Sequence, residues 1–162
     1  MEQIRRFNII TLHPHWTQYI ISQWLIFTVS LVLLLVAGHE SITYRQPFLI
    51  LGSVTTLMGF YGCLYLSKLS FIISSEQLII QHGIFQRKSD YIELYRVIDF
   101  SENRGILEQL FGLKTVCIFS GDRTNPKLDI YGVKEKTDVV GIIRERVEYN
   151  KRRKGVYEIT NR

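Results

Sequence analysis

Histidines, cysteines and a run of cations are the residues of this chain whose types could do chemistry, and their spacing decides how much of it is available. The four histidines are His13, His15, His39 and His82. Pro14 stands between the first two and does not direct both imidazoles to one point, and no third ligand lies near in sequence, so a zinc site is not expected. His39-Glu40 lacks the second histidine four residues on that a metalloprotease helix needs. Cys63 falls in an apolar stretch and Cys117 in a strand-like run, at different expected depths, so no disulfide, redox pair or metal pair follows. There is no GxSxG, no GxxxxGKS/T and no GxGxxG. The expectation is a non-enzymatic protein with no catalytic residue, cofactor or metal.

The strongest charge feature is Lys151, Arg152, Arg153 and Lys154, with Arg144 and Arg146 one or two turns earlier. Three readings are open. Cations at a helix C-terminus complement its dipole, with Gly155 as the stop. Cations near anionic lipid headgroups gain about 1 kcal/mol each. Cations also bind nucleic acid, but no aromatic platform or groove-reading helix accompanies them, and Tyr149 alone is not one, so nucleic acid is not expected. The candidate lipid- or partner-binding residues are therefore Arg144, Lys151, Arg152, Arg153 and Lys154.

The elements that must position these residues divide sharply along the 162-residue chain. Residues 7–39 and 46–67 contain no Lys, Arg, Asp or Glu, whereas residues 68–162 carry 17 basic and 13 acidic side chains. Two apolar stretches of roughly 20 residues each cover about 30 Å as helices, the thickness of a bilayer core. The predicted organisation is an N-terminal segment 1–15, a transmembrane helical hairpin 16–67 with spans at 16–38 and 47–67, a compact domain 68–150, and a basic C-terminal tail 151–162. Arg5, Arg6 and Lys68 outnumber the loop's Arg45, which Glu40 offsets, so both termini are expected on the cytoplasmic side and the loop 39–46 outside. On the second span Thr55, Gly59 and Cys63 recur every four residues with Gly52 and Gly62 nearby. That flat face suits close helix approach, either by a partner or second copy or by the first span.

From Leu69 the pattern changes to short strand-like runs at 69–74, 77–82, 84–94, 96–102, 114–121 and 127–133, separated by turn residues. Sequential short strands with tight turns predict an antiparallel meander. A helix follows, with Thr137 as its cap, Val139, Val140, Ile143 and Val147 on its core face, and Arg144, Glu145, Arg146 and Glu148 toward water. Between Gly105 and Gly112, Ile106, Leu107, Leu110 and Phe111 are expected to pack down on the sheet. The class is α+β: a two-helix hairpin, then an antiparallel β-sandwich or barrel capped by a C-terminal helix.

That layout is the pleckstrin-homology (PH) one, and the segments 79–85 (IIQHGIF), 92–97 (IELYRV) and 105–116 (GILEQLFGLKTV) resemble the bacterial PH-like family, a former domain of unknown function typified by YdbS-type membrane proteins. Leu12-His13-Pro14 ahead of a two-span hairpin resembles how those proteins begin. The resemblance implies a membrane-anchored docking module in a larger inner-membrane assembly, with a partner protein or self-association; an anionic-lipid or envelope-stress role is the alternative. Eukaryotic PH domains that grip phosphoinositides carry Lys and Arg in the turn between strands one and two. On this reading that turn is residues 74–77, Ser-Ser-Glu-Gln, with no cation.

Overall fold

In a computed structural model the chain is described over residues 7–39 and 44–156. Arg5, Arg6, positions 40–43 of the predicted outer loop, and positions 157–162 of the predicted tail lie outside the described residues. The chain opens with a short strand, β1 (Ile10–Leu12), and then enters two long helices, α1 (Trp16–Gly38) and α2 (Arg45–Ser67). His15 caps α1, its ring nitrogen accepting from the Thr17 amide, and Pro47 sits in the first turn of α2, where its missing N–H costs no helical bond. Both helices are long and apolar enough to cross a membrane. They pack as an antiparallel pair while most of their apolar side chains, such as Leu31, Val32, Leu57 and Met58, remain exposed.

Seven strands follow the meander logic but in two sheets. β1, β2 (Ser70–Ile73), β3 (Gln77–His82) and β4 (Lys88–Glu93) form one antiparallel sheet in that order. A 3-10 turn (Leu94–Arg96) leads to β5 (Val97–Asn103), which forms the second sheet with β6 (Leu113–Ser120) and β7 (Lys127–Lys134). A short helix, α3 (Ile106–Leu110), bridges β5 and β6, and α4 (Val139–Lys154) closes the fold. Phe71, Ile73, Leu78, Ile92, Ile118 and Ile130 fill the space between the sheets. Val139, Ile143 and Val147 of α4 seal one end of that core at 0–4% exposure, each contributing roughly 1.5–3 kcal/mol by burial.

Several expectations are corrected. β1 belongs to the sheet, pairing antiparallel with β2 through Ile10↔Ile73 and Leu12↔Phe71. The connection between strands one and two is therefore the whole helical hairpin, and residues 74–77 join β2 to β3 instead. The strand expected over 84–94 begins at Lys88. The helix cap is Asp138, whose carboxylate accepts from the Gly141 amide at 2.9 Å, rather than Thr137. Arg146 does not face water: it is 3% exposed and its guanidinium donates to the carbonyls of Ile73, Ser74 and Asn8 at 2.6–3.0 Å. Ile106, Leu110 and Phe111 do not pack on the sheet but stand exposed, because Glu108 takes the inward position of α3.

Candidate functional site

The base of the hairpin is fastened to the domain from several sides. Only three residues separate β1 from α1, and two separate α2 from β2. The His15 amide donates to the Gly132 carbonyl at 3.0 Å, and Gly132 has φ +65 with the α1 backbone so close that a Cβ would lie 2.8 Å from Gln18 Cβ. Glycine alone meets both demands. Gln18 Nε2 donates to Glu108 at 3.0 Å, and Thr115 donates to the same carboxylate oxygen at 2.8 Å, which ties α1, α3 and β6 together. His13 Nδ1 lies 3.4 Å from the Leu69 carbonyl, so both histidines of the N-terminal pair serve the junction.

Within the hairpin, Gly52 and Gly59 are buried against α1: a Cβ added to them would lie 2.8 Å from Leu34 and 2.9 Å from Phe27. Cys63 Sγ reaches the Tyr19 carbonyl at 3.7 Å, and a Cβ on Gly62 would meet the Gln23 side chain at 2.5 Å. Thr55 is turned aside, its hydroxyl donating to carbonyls of its own helix, and the neighbour Thr56 meets Ser30 of α1 instead. Where α2 meets the domain, Ser22, Gln23, Tyr61, Tyr65 and Tyr131 line an open cleft of about 480 Å³.

The basic residues lie at the other end. α4 starts beside the hairpin base, where Thr137 shares a small cleft with His13, His15 and Gly132, and runs sixteen residues, about 24 Å, to Lys154. There Asn150 donates to the Ser75 carbonyl and Arg153 pairs with Glu76 at 2.7 Å, which holds the Arg153 guanidinium pKa above its ordinary value. Lys154 Nζ stands 4.7 Å from the centroid of the Tyr95 ring. The quartet is thus split, and these two cations are engaged by the turn after β2 and by the 3-10 turn.

Lys151, Arg152 and Arg144 face a different surface, a groove of about 350 Å³ between α4 and β5. Val97, Ile98, Phe100 and Val147 supply its apolar lining, and Asp99 and Glu148 also reach it. β5 is the edge of its sheet, hydrogen-bonded to β6 and to no other strand among the described residues. A register shift between Val97 and Asp99 leaves Ile98 64% exposed beside the groove. The Arg144 guanidinium lies over the Phe100 ring at 5.7 Å, while Arg152 stands 3.9 Å from Glu148. An edge strand next to apolar pockets and a cationic rim is the arrangement that extends a sheet with an incoming strand, and here the Phe100 amide of that edge strand donates to the Asp99 carboxylate at 2.7 Å. Sequence reasoning found the cations but not Ile98 or Phe100, whose signal was a strand run with apolar residues on its open edge.

A family model described as the bacterial PH domain matches residues 17–147. The chain belongs to the bacterial PH domain family. No curated protein and no solved structure matched it. In this bacterial PH domain the matched region takes in both apolar helices as well as β2 to β7, and it stops short of Lys151. The match therefore covers six of the seven strands and the first nine residues of the closing helix, and it says nothing of what the groove between α4 and β5 binds.

Proposed function

We propose that this bacterial PH domain protein spans the inner membrane twice and holds its PH-like domain on the cytoplasmic side as a non-enzymatic docking module for a partner protein. The observation that carries the reading is the insertion of the apolar hairpin between two paired strands. With three and two residues as connectors and the Gln18–Glu108–Thr115 link at the base, the domain has little freedom to swing. A rigidly mounted module presents one fixed surface to the cytoplasm, and the groove between β5 and α4 is the surface best equipped for a protein segment. Arg5, Arg6 and Lys68 support the cytoplasmic orientation.

The second reading, anionic-lipid binding by the basic helix end, draws support from the charge of residues 151–154. It is the weaker of the two, because about 24 Å of helix separates Lys154 from the base end of α4, against a screening length of about 8 Å at physiological salt. The test is a photo-crosslinking amino acid at Ile98 in the full chain, expressed in native membranes. A discrete protein adduct that disappears when Arg144 and Lys151 are changed to Glu supports docking. Crosslinks to lipid alone, or an adduct indifferent to those charges, would overturn it.

A further inference from the structure

We propose that α3 is a membrane-surface wedge, with Ile106, Leu110 and Phe111 seated among the lipids of the leaflet that α1 enters. The inference rests on the reading of α1 as a span, and it adds a contact which that reading does not contain.

Ile106 is 87% exposed, Leu110 76% and Phe111 54%. Ile106 and Leu110 are four residues apart and share one face of the short helix. The opposite side is committed: Glu108 is buried, accepting from Gln18 and Thr115 and, with its second oxygen, from the Gly105 amide. These bonds fix the height of α3. Gln18 is the third residue of α1, so α3 lies within about one helical turn, roughly 5 Å, of the inner end of a helix whose 23 residues cover about 34 Å. A hydrocarbon core of about 30 Å leaves that first turn at the interface between acyl chains and headgroups. Trp16, 63% exposed, marks the same level with the ring type that prefers it. Apolar side chains held at this depth meet lipid rather than bulk water, which explains why a five-residue helix turns its apolar residues outward.

The polar surroundings fit. Arg104, two residues before α3, is held by Glu135 and Glu102, and Gln109 donates to the Arg104 carbonyl. Polar groups therefore border the apolar face on its domain side, as expected for a segment that enters the boundary without crossing it.

The test uses the full chain in phosphatidylcholine vesicles, with Cys63→Ser and Cys117→Ala removing the native thiols and a single environment-sensitive fluorophore on Leu110→Cys. Parallel labels go on Val32→Cys, in the middle of α1, and on Ile98→Cys, in the distal groove. All three side chains are exposed in the isolated chain, so labelling does not disturb the core. Lipids brominated high on the acyl chain should quench Leu110 strongly and Ile98 not at all, while deep bromines quench Val32. If Val32 is quenched and Leu110 is not, the wedge is wrong and the span reading survives. If Val32 escapes as well, the span reading fails and the wedge with it. If Leu110 is shielded from both bromolipid and aqueous iodide, protein covers α3, and the lipid assignment is overturned.

Discussion

Arg146 shows how a charged side chain becomes part of a core. Its guanidinium spends its donors on three carbonyls from β2, the following turn and the N-terminal segment, and burial lowers its pKa. Arg146→Ala leaves those carbonyls without partners and should cost about 2–4 kcal/mol, whereas Arg144→Ala, an exposed cation over a ring, should cost under about 1 kcal/mol. Thermal unfolding of the detergent-solubilised chain measures both. Cys117 makes a second residue-scale claim. Burial first, then the neighbouring Asp129, raises its thiol pKa above the ordinary 9.0. The protonated thiol therefore contributes stability below about pH 9, and that contribution is lost as pH climbs through the raised value. In a Cys63→Ser chain, maleimide should leave Cys117 unmodified at neutral pH until denaturant is added; prompt labelling of the native chain would refute the buried placement. The core position of Arg146 was legible in spacing, since Val139, Ile143, Arg146 and Asn150 keep one helical face, but its charge read as a solvent position. Only a carbonyl cluster brought from distant parts of the chain makes that burial tolerable, and sequence proximity carries no trace of it.

At the level of elements, the hairpin seam and the first strand make separate predictions. Gly59→Leu forces a branched side chain into the Phe27 ring and should destabilise the hairpin by about 1–3 kcal/mol, while Leu51→Phe, on an exposed face, should be nearly silent. Melting temperatures of the two variants in one detergent give the comparison. For β1, a fragment of residues 69–162 lacks the partner of β2 and should aggregate through that open edge. Residues 7–13 joined by Asn-Gly to residues 69–156 restore the strand across a tight turn and should give a cooperatively melting domain by circular dichroism. The strands from β2 to β7 were readable because alternation and turn residues sit side by side in the sequence. β1 was not, because three residues carry little periodicity and their partner lies beyond two long helices. α3 misled for a related reason: its apolar residues announce a core, and only the placement of Gln18 beside Glu108 reveals which surroundings they meet.

The whole molecule joins an apolar helical hairpin to a two-sheet domain at one seam. Reporter fusions that follow Lys68 or Arg162 should read cytoplasmic, and one in the loop 39–46 external, from the excess of Arg5, Arg6 and Lys68 over Arg45. An external reading at Arg162 would place the groove on the wrong side for a cytoplasmic partner. The insertion of the hairpin between β1 and β2 also sets an order of events during synthesis. β1 leaves the ribosome before the hairpin and its partner strand after it, so at roughly 5–20 residues per second it waits on the order of 3–12 seconds unpaired. On the two-span reading proposed above, pairing succeeds only when both hairpin ends emerge on one face of the bilayer. On that same reading, a copy that inserted a single helix would strand β1 across the membrane from β2 with a sheet edge open to proteases, so closure of the domain would double as a proofreading step for membrane insertion.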